Sequence, residues 1–120
     1  MAGQTLKGAA RIVAACVNSV AGLKAAWKHE EAFRQECLLL IFGTPMGAWL
    51  GQNGVERALL IGALFMVVIV ELLNTAVEAT VDRIGFERHE LAARAKDIGS
   101  AAVLLSLLFA ATVWLLILIR

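Results

Sequence analysis

From Ile98 to Ile119 the chain runs for 22 residues without a charged side chain, enough for one helix to cross the roughly 30 Å of hydrocarbon in a bilayer. In lipid the backbone must satisfy its own hydrogen bonds, so such a run has to be helical. Composition agrees: 60% of the 120 residues are hydrophobic and the mean hydropathy is +0.78, more apolar surface than a soluble chain of this size can hide. The expected fold class is therefore an all-α membrane protein, a single integral-membrane unit over residues 1–120. The N-terminal MAGQTLKGAARIVAACVNS lacks the apolar core and cleavage site of a secretory signal and is read as part of the mature chain.

Four further segments follow from the charge and hydropathy pattern. Residues 5–28 predict an amphipathic helix lying in the interface: Ile12, Cys16, Val20, Leu23 and Trp27 recur at three- and four-residue spacing, while Lys7, Arg11 and Asn18 project elsewhere and Lys24 and Lys28 flank the apolar arc. A first span is expected over 30–50. Its uncharged part, Cys37–Leu50, is only 14 residues, so its first turns carry Glu30, Glu31, Arg34 and Glu36 at headgroup level, and Pro45 is expected to kink it. A second span is expected over 58–81, a cytoplasmic loop or helix over 82–97 and the third span over 98–119. In that last span Ala102, Ser106 and Ala110 form a small-residue stripe suited to close helix packing, within the chain or between copies.

Nine of the eleven basic residues precede the first span or lie between the second and third, leaving Arg57 and Arg120 for the other side. The bias predicts a cytoplasmic N-terminus and second loop in a multi-pass protein of the bacterial inner membrane. Trp27 then marks one interface, with Trp49 and Trp114 at the other. Cys16 and Cys37 have no zinc-like spacing and read as small hydrophobes. A net charge of +1 with no Lys/Arg block argues against nucleic acid as a partner.

Chemistry concentrates in the second span. Glu71, Asn74 and Glu78 are spaced i, i+3, i+7 and share one helical face. Counting from Ala58, Glu71 falls roughly 20 Å below the outer boundary, about 10 Å inside the cytoplasmic one. A carboxylate at that depth must be neutral, paired or facing a wet cavity, so it is a functional candidate and also, in the plainer reading, a helix clamp. The deeper carboxylate suits a general base and the shallower Glu78 a hard cation such as Mg²⁺, with Glu30 at the same level as a second ligand. The loop DRIGFERHELAARAKD places four basic and four acidic residues and His89 in 16 positions; beside a metal site, Lys96 and Asp97 suit a polyphosphate and its ribose or metal. No glycine-rich phosphate loop of either common type occurs. The residues alone thus reach a metal-dependent site at the inner interface, with kinase chemistry one option and a small proton-coupled exporter using Glu71 another.

Three stretches carry a resemblance: AAWKHEEAFRQE (25–36), VELLNTAVEATVDRIG (70–85) and HELAARAKDIGSAAV (89–103). Together they resemble the bacterial integral-membrane diacylglycerol kinases of the Gram-negative type, from about Arg11 to the C-terminus. The resemblance implies an interfacial helix and three transmembrane helices, a homotrimer with sites shared between subunits, and transfer of the γ-phosphate of ATP to the hydroxyl of diacylglycerol with Mg²⁺ as cofactor. It implies Glu71 as general base, Glu30 and Glu78 as metal ligands that also meet ATP, and Arg11, Glu87, His89, Lys96 and Asp97 as nucleotide contacts. Arg34, Gln35, Arg57 and Ser100 match lipid-lining or interface positions, and Asn74 a polar partner of the base. The chain departs from the family at Ala14, where a lysine is frequent, and at Val17, where an aromatic residue is. A polyprenol kinase would use the same catalytic residues with a different lipid pocket.

Overall fold

The computed structural model describes residues 7–85 and 89–120. Among these, every regular element is an α-helix: α1 (Gly8–His29), α2 (Glu31–Leu50), α3 (Gly54–Ile84) and α4 (Glu90–Leu118). The chain divides into two compact units, residues 1–30 and 31–120.

The first unit is α1. It carries no acidic residue in its first turn and Lys28 and His29 in its last, where positive charge meets the negative end of the helix dipole. Glu30 leaves the helix at φ −121°, ψ 111°, its N–H still donating to the Ala26 carbonyl at 2.9 Å. Ile12, Val13, Val17, Val20, Leu23 and Trp27 are exposed, an apolar stripe at helical spacing.

The second unit is built around α3, which packs against both α2 and α4. Leu60, Ala63, Leu64, Val67 and Val68 are its buried residues above Glu71, and Ala63 and Val67 form a core cluster with Ala110 and the partly buried Val113 of α4. Of the small-residue stripe, Ser106 and Ala110 are buried, so part of it serves packing within the chain. Trp114 is not only an interfacial anchor: its indole N–H donates to the Leu60 carbonyl at 3.0 Å, tying α4 to α3.

The turn between α2 and α3 is specified by polar side chains. The Asn53 side chain accepts from the Glu56 N–H at 2.9 Å, and the Glu56 carboxylate accepts from the Gln52 N–H at 2.9 Å. Glu56 also pairs with Arg120 at 3.1 Å, and the Arg120 guanidinium donates to the Leu50 carbonyl at 3.1 Å. Asn53→Ala removes the acceptor for an otherwise unpaired first-turn N–H and should cost about 1 kcal/mol, read as a lower unfolding temperature in detergent.

By length and composition three helices among the described residues are apolar enough to cross a membrane: α1, α3 and α4. This differs from the sequence expectation, which laid residues 5–28 on the surface and gave the first span to 30–50. The physical reason lies in charge density. α2 carries Glu31, Arg34 and Glu36 in its first six residues and runs through Pro45, whereas the charges of α1 are spread over 22 residues.

Candidate active site

The site begins with a helix that does not break where its sequence turns polar. α3 continues past Glu71, Asn74 and Glu78 as far as Ile84, so those side chains keep the face that their spacing predicts. Glu71 is 4% exposed, which makes it the one buried charged side chain among the described residues. A lone carboxylate there would cost several kcal/mol, and three neighbours reduce that cost. The Thr75 hydroxyl, one turn on, donates to Glu71 Oε2 at 3.3 Å. From α2, the Glu36 carboxyl is hydrogen-bonded to Glu71. Asn74 lies beside them, its Oδ1 buried and without a hydrogen-bond partner in the chain.

Asn74 also explains a glycine on α4. A Cβ at Gly99 would run into the Asn74 side-chain oxygen, so α4 can approach this level of α3 only with glycine there.

Glu78 lies two turns nearer the cytoplasmic end, about 10 Å along the axis from Glu71. Beyond it the Asp82 carboxylate of α3 pairs with Lys96 Nζ of α4 at 2.6 Å. The hydrogen bond from Lys96 to Asp82 and the negative charge of Asp82 and Glu78 outweigh desolvation and hold this ammonium above the ordinary lysine value. Lys96 therefore stays charged through the neutral range, a fixed positive point beside Glu78. At the start of α4, His89 is the N-cap, its Nδ1 accepting from the Leu91 N–H at 3.0 Å. With Val81, Ile84, Gly85, Leu91, Ala92 and Ala95 it lines a cavity of about 330 Å³.

The predicted site residues do not all meet. Glu71, Asn74 and Glu78 share the α3 face; Lys96 and the exposed Asp97 and Ser100 sit along α4. Arg34 and Gln35 adjoin Glu36 on α2. Arg57 is 14 residues from Glu71 on the same helix, about 21 Å away, where its Nε donates to the Ala48 carbonyl at 3.0 Å. Arg11 and Glu30 belong to the first unit, and Glu87 lies outside the described residues. Among those residues no three of His, Cys, Asp and Glu converge into a preformed metal cage. Mg²⁺ does not require one, since it is commonly held by one or two carboxylates together with substrate phosphates, and the donor chemistry of Glu78 fits that role.

Sequence reasoning passed over two features. Glu36 is the last charge before the uncharged run of α2, a position that could have been marked as a carboxyl carried just below the interface. The second is a groove of about 710 Å³ starting at Gln35 and continuing past Leu38, Phe42, Met46, Leu107 and Trp114. Its walls are almost wholly apolar, and it has the width and chemistry of an acyl chain.

Comparison with known proteins places the chain among relatives. The family model for prokaryotic diacylglycerol kinase matches residues 17–118. A diacylglycerol kinase of Escherichia coli is 48% identical over 111 residues, 92% of this chain and 91% of that protein. That of Haemophilus influenzae is 50% identical over 96 residues, 80% of this chain and 81% of its own, and that of Pseudomonas aeruginosa 46% identical over 117 residues, 98% and 94%.

Proposed function

The chain belongs to the prokaryotic diacylglycerol kinase family, and on that premise we propose that it transfers the γ-phosphate of MgATP to the hydroxyl of sn-1,2-diacylglycerol, giving phosphatidate and ADP, with Glu71 as the general base. The observation that carries the reading is a carboxylate 4% exposed on a helix apolar enough to cross a membrane. A base in that position suits an acceptor hydroxyl that stays in the bilayer.

In this reading Glu71 removes the hydroxyl proton as the lipid oxygen bonds to the γ-phosphorus and the bond to the ADP oxygen breaks. Asn74 and Thr75 orient the base. Glu30 and Glu78 would hold Mg²⁺, which when bound offsets charge on the transferring phosphoryl. Lys96 adds a fixed positive charge, and Arg11, Glu87, His89 and Asp97 meet the nucleotide. Arg34, Gln35 and Ser100 line the lipid, and Arg57 lies at the outer interface. The reading includes a surface-lying α1, three spans formed by α2, α3 and α4, cytoplasmic placement of the N-terminus and of the link between α3 and α4 in the inner membrane, and a homotrimer whose subunits share sites.

The test is phosphate transfer from labelled ATP by purified protein in mixed micelles. Labelled phosphatidate should form only when Mg²⁺ and diacylglycerol are both present, and a polyprenol offered in the same micelles should remain unlabelled. ATP consumption indifferent to any lipid alcohol would defeat the proposal.

A further inference from the structure

Glu36 has no part in the mechanism just given, yet its carboxyl reaches across from α2 to hydrogen-bond Glu71. Two carboxylates cannot do this, because four acceptor oxygens offer no donor; one proton must sit between them. The surroundings show on which side it belongs. Glu71 already accepts a hydrogen bond from Thr75, whereas Glu36 Oε2 is buried with no partner in the protein. With the proton on Glu36, the charged group is Glu71 and it has two donors. With the proton on Glu71, the charge would rest on a carboxyl whose second oxygen is buried and unsatisfied, the costlier arrangement.

We propose that Glu36 is a positioning residue for the base: it keeps the proton shared by the two carboxyls and donates it as a hydrogen bond to Glu71, presenting Glu71 ionised and oriented to the acceptor hydroxyl. The inference rests on Glu71 being the base. The acceptor's proton goes to Glu71, the acceptor oxygen bonds to the γ-phosphorus, and the bond to ADP breaks; Glu36 ends with the proton it began with. Its effect is on readiness, since a base in hydrocarbon has no water to keep it charged.

The test compares Glu36→Gln, Glu36→Leu and Glu36→Asp by kcat, by KM for each substrate and by thermal unfolding. Gln carries an amide N–H that can donate in the same direction, so its kcat should stay within about tenfold of the parent; Leu offers no donor and should lose roughly 10²–10³ in kcat, the effect of removing one preorganised donor. KM for MgATP should not move in either. Asp, a methylene short, should resemble Leu, which keeps the comparison decisive if Leu does not fold. A Gln variant as inactive as Asp, or a Leu variant that is fully active, would overturn the inference, the first because Glu36 must then move its own proton, the second because the pair is then only a clamp. Glu71→Gln in the same series separates the two failures: activity there removes the base itself, whereas inactivity there beside flat Glu36 variants removes only this inference.

Discussion

Glu71→Gln should lower kcat by about 10²–10⁴-fold, the range expected when a general base is removed, without lowering the unfolding temperature. The amide is isosteric, and its oxygen can still accept from Thr75, which now donates to Glu71 at 3.3 Å. What it cannot do is receive a proton. Stability should hold or rise, because the substitution removes a charge from a position only 4% exposed and leaves a neutral group of the same shape. Steady-state phosphate transfer and a thermal scan on the same preparation check both halves. Activity within tenfold of the parent would rule Glu71 out as the base, and lost activity with lost folding would return it to the role of a helix clamp.

Gly47→Leu should destabilise the chain by about 1–3 kcal/mol, the usual cost of forcing side-chain volume into a packed contact. A Cβ at Gly47 would already stand 3.2 Å from Leu60 Cβ, 3.3 Å from Ile61 Cγ1 and 3.6 Å from Trp114 Cζ2. Leu60 Cβ is fixed to the α3 backbone, so α2 itself would have to move, straining the seam from which Glu36 reaches Glu71. Gly47→Ala is the control: its neighbours need give only a few tenths of an ångström, and alanine recovers up to about 1 kcal/mol of helix propensity. Unfolding temperatures should fall in the order Ala near parent, Leu well below. A Leu variant melting with the parent would mean that the α2–α3 contact is not close at this level.

Much of the second unit was legible from spacing. Glu71, Asn74 and Glu78 occur at i, i+3, i+7 on a helix, and only helical continuity is needed to bring them to one face. The 22-residue run ending at Ile119 likewise announced its helix. Features that depend on which helices meet were not legible. Nothing local pairs Glu36 with Glu71, 35 positions apart in the sequence, or gives Gly99 its reason, which is the Asn74 side chain on another helix. Trp114 was read from composition as a membrane-surface residue; its hydrogen bond to the Leu60 carbonyl required the α3–α4 packing. Lys96 was read as a phosphate contact, and its pairing with Asp82 shows that the same charge also links the cytoplasmic ends of α3 and α4.

Helix α3 is 31 residues long, about 46 Å at the α-helical rise, against roughly 30 Å of hydrocarbon. It is therefore a rigid ruler longer than the layer it is suited to cross, and the surplus must be taken up by tilt or by emergence into water. Each rotation or tilt that adapts α3 to a thicker or thinner host bilayer changes the height of Glu71 relative to the glycerol level. Hydrophobic mismatch between helix and lipid thus becomes a variable of catalysis, one that acts on where the base meets its substrate.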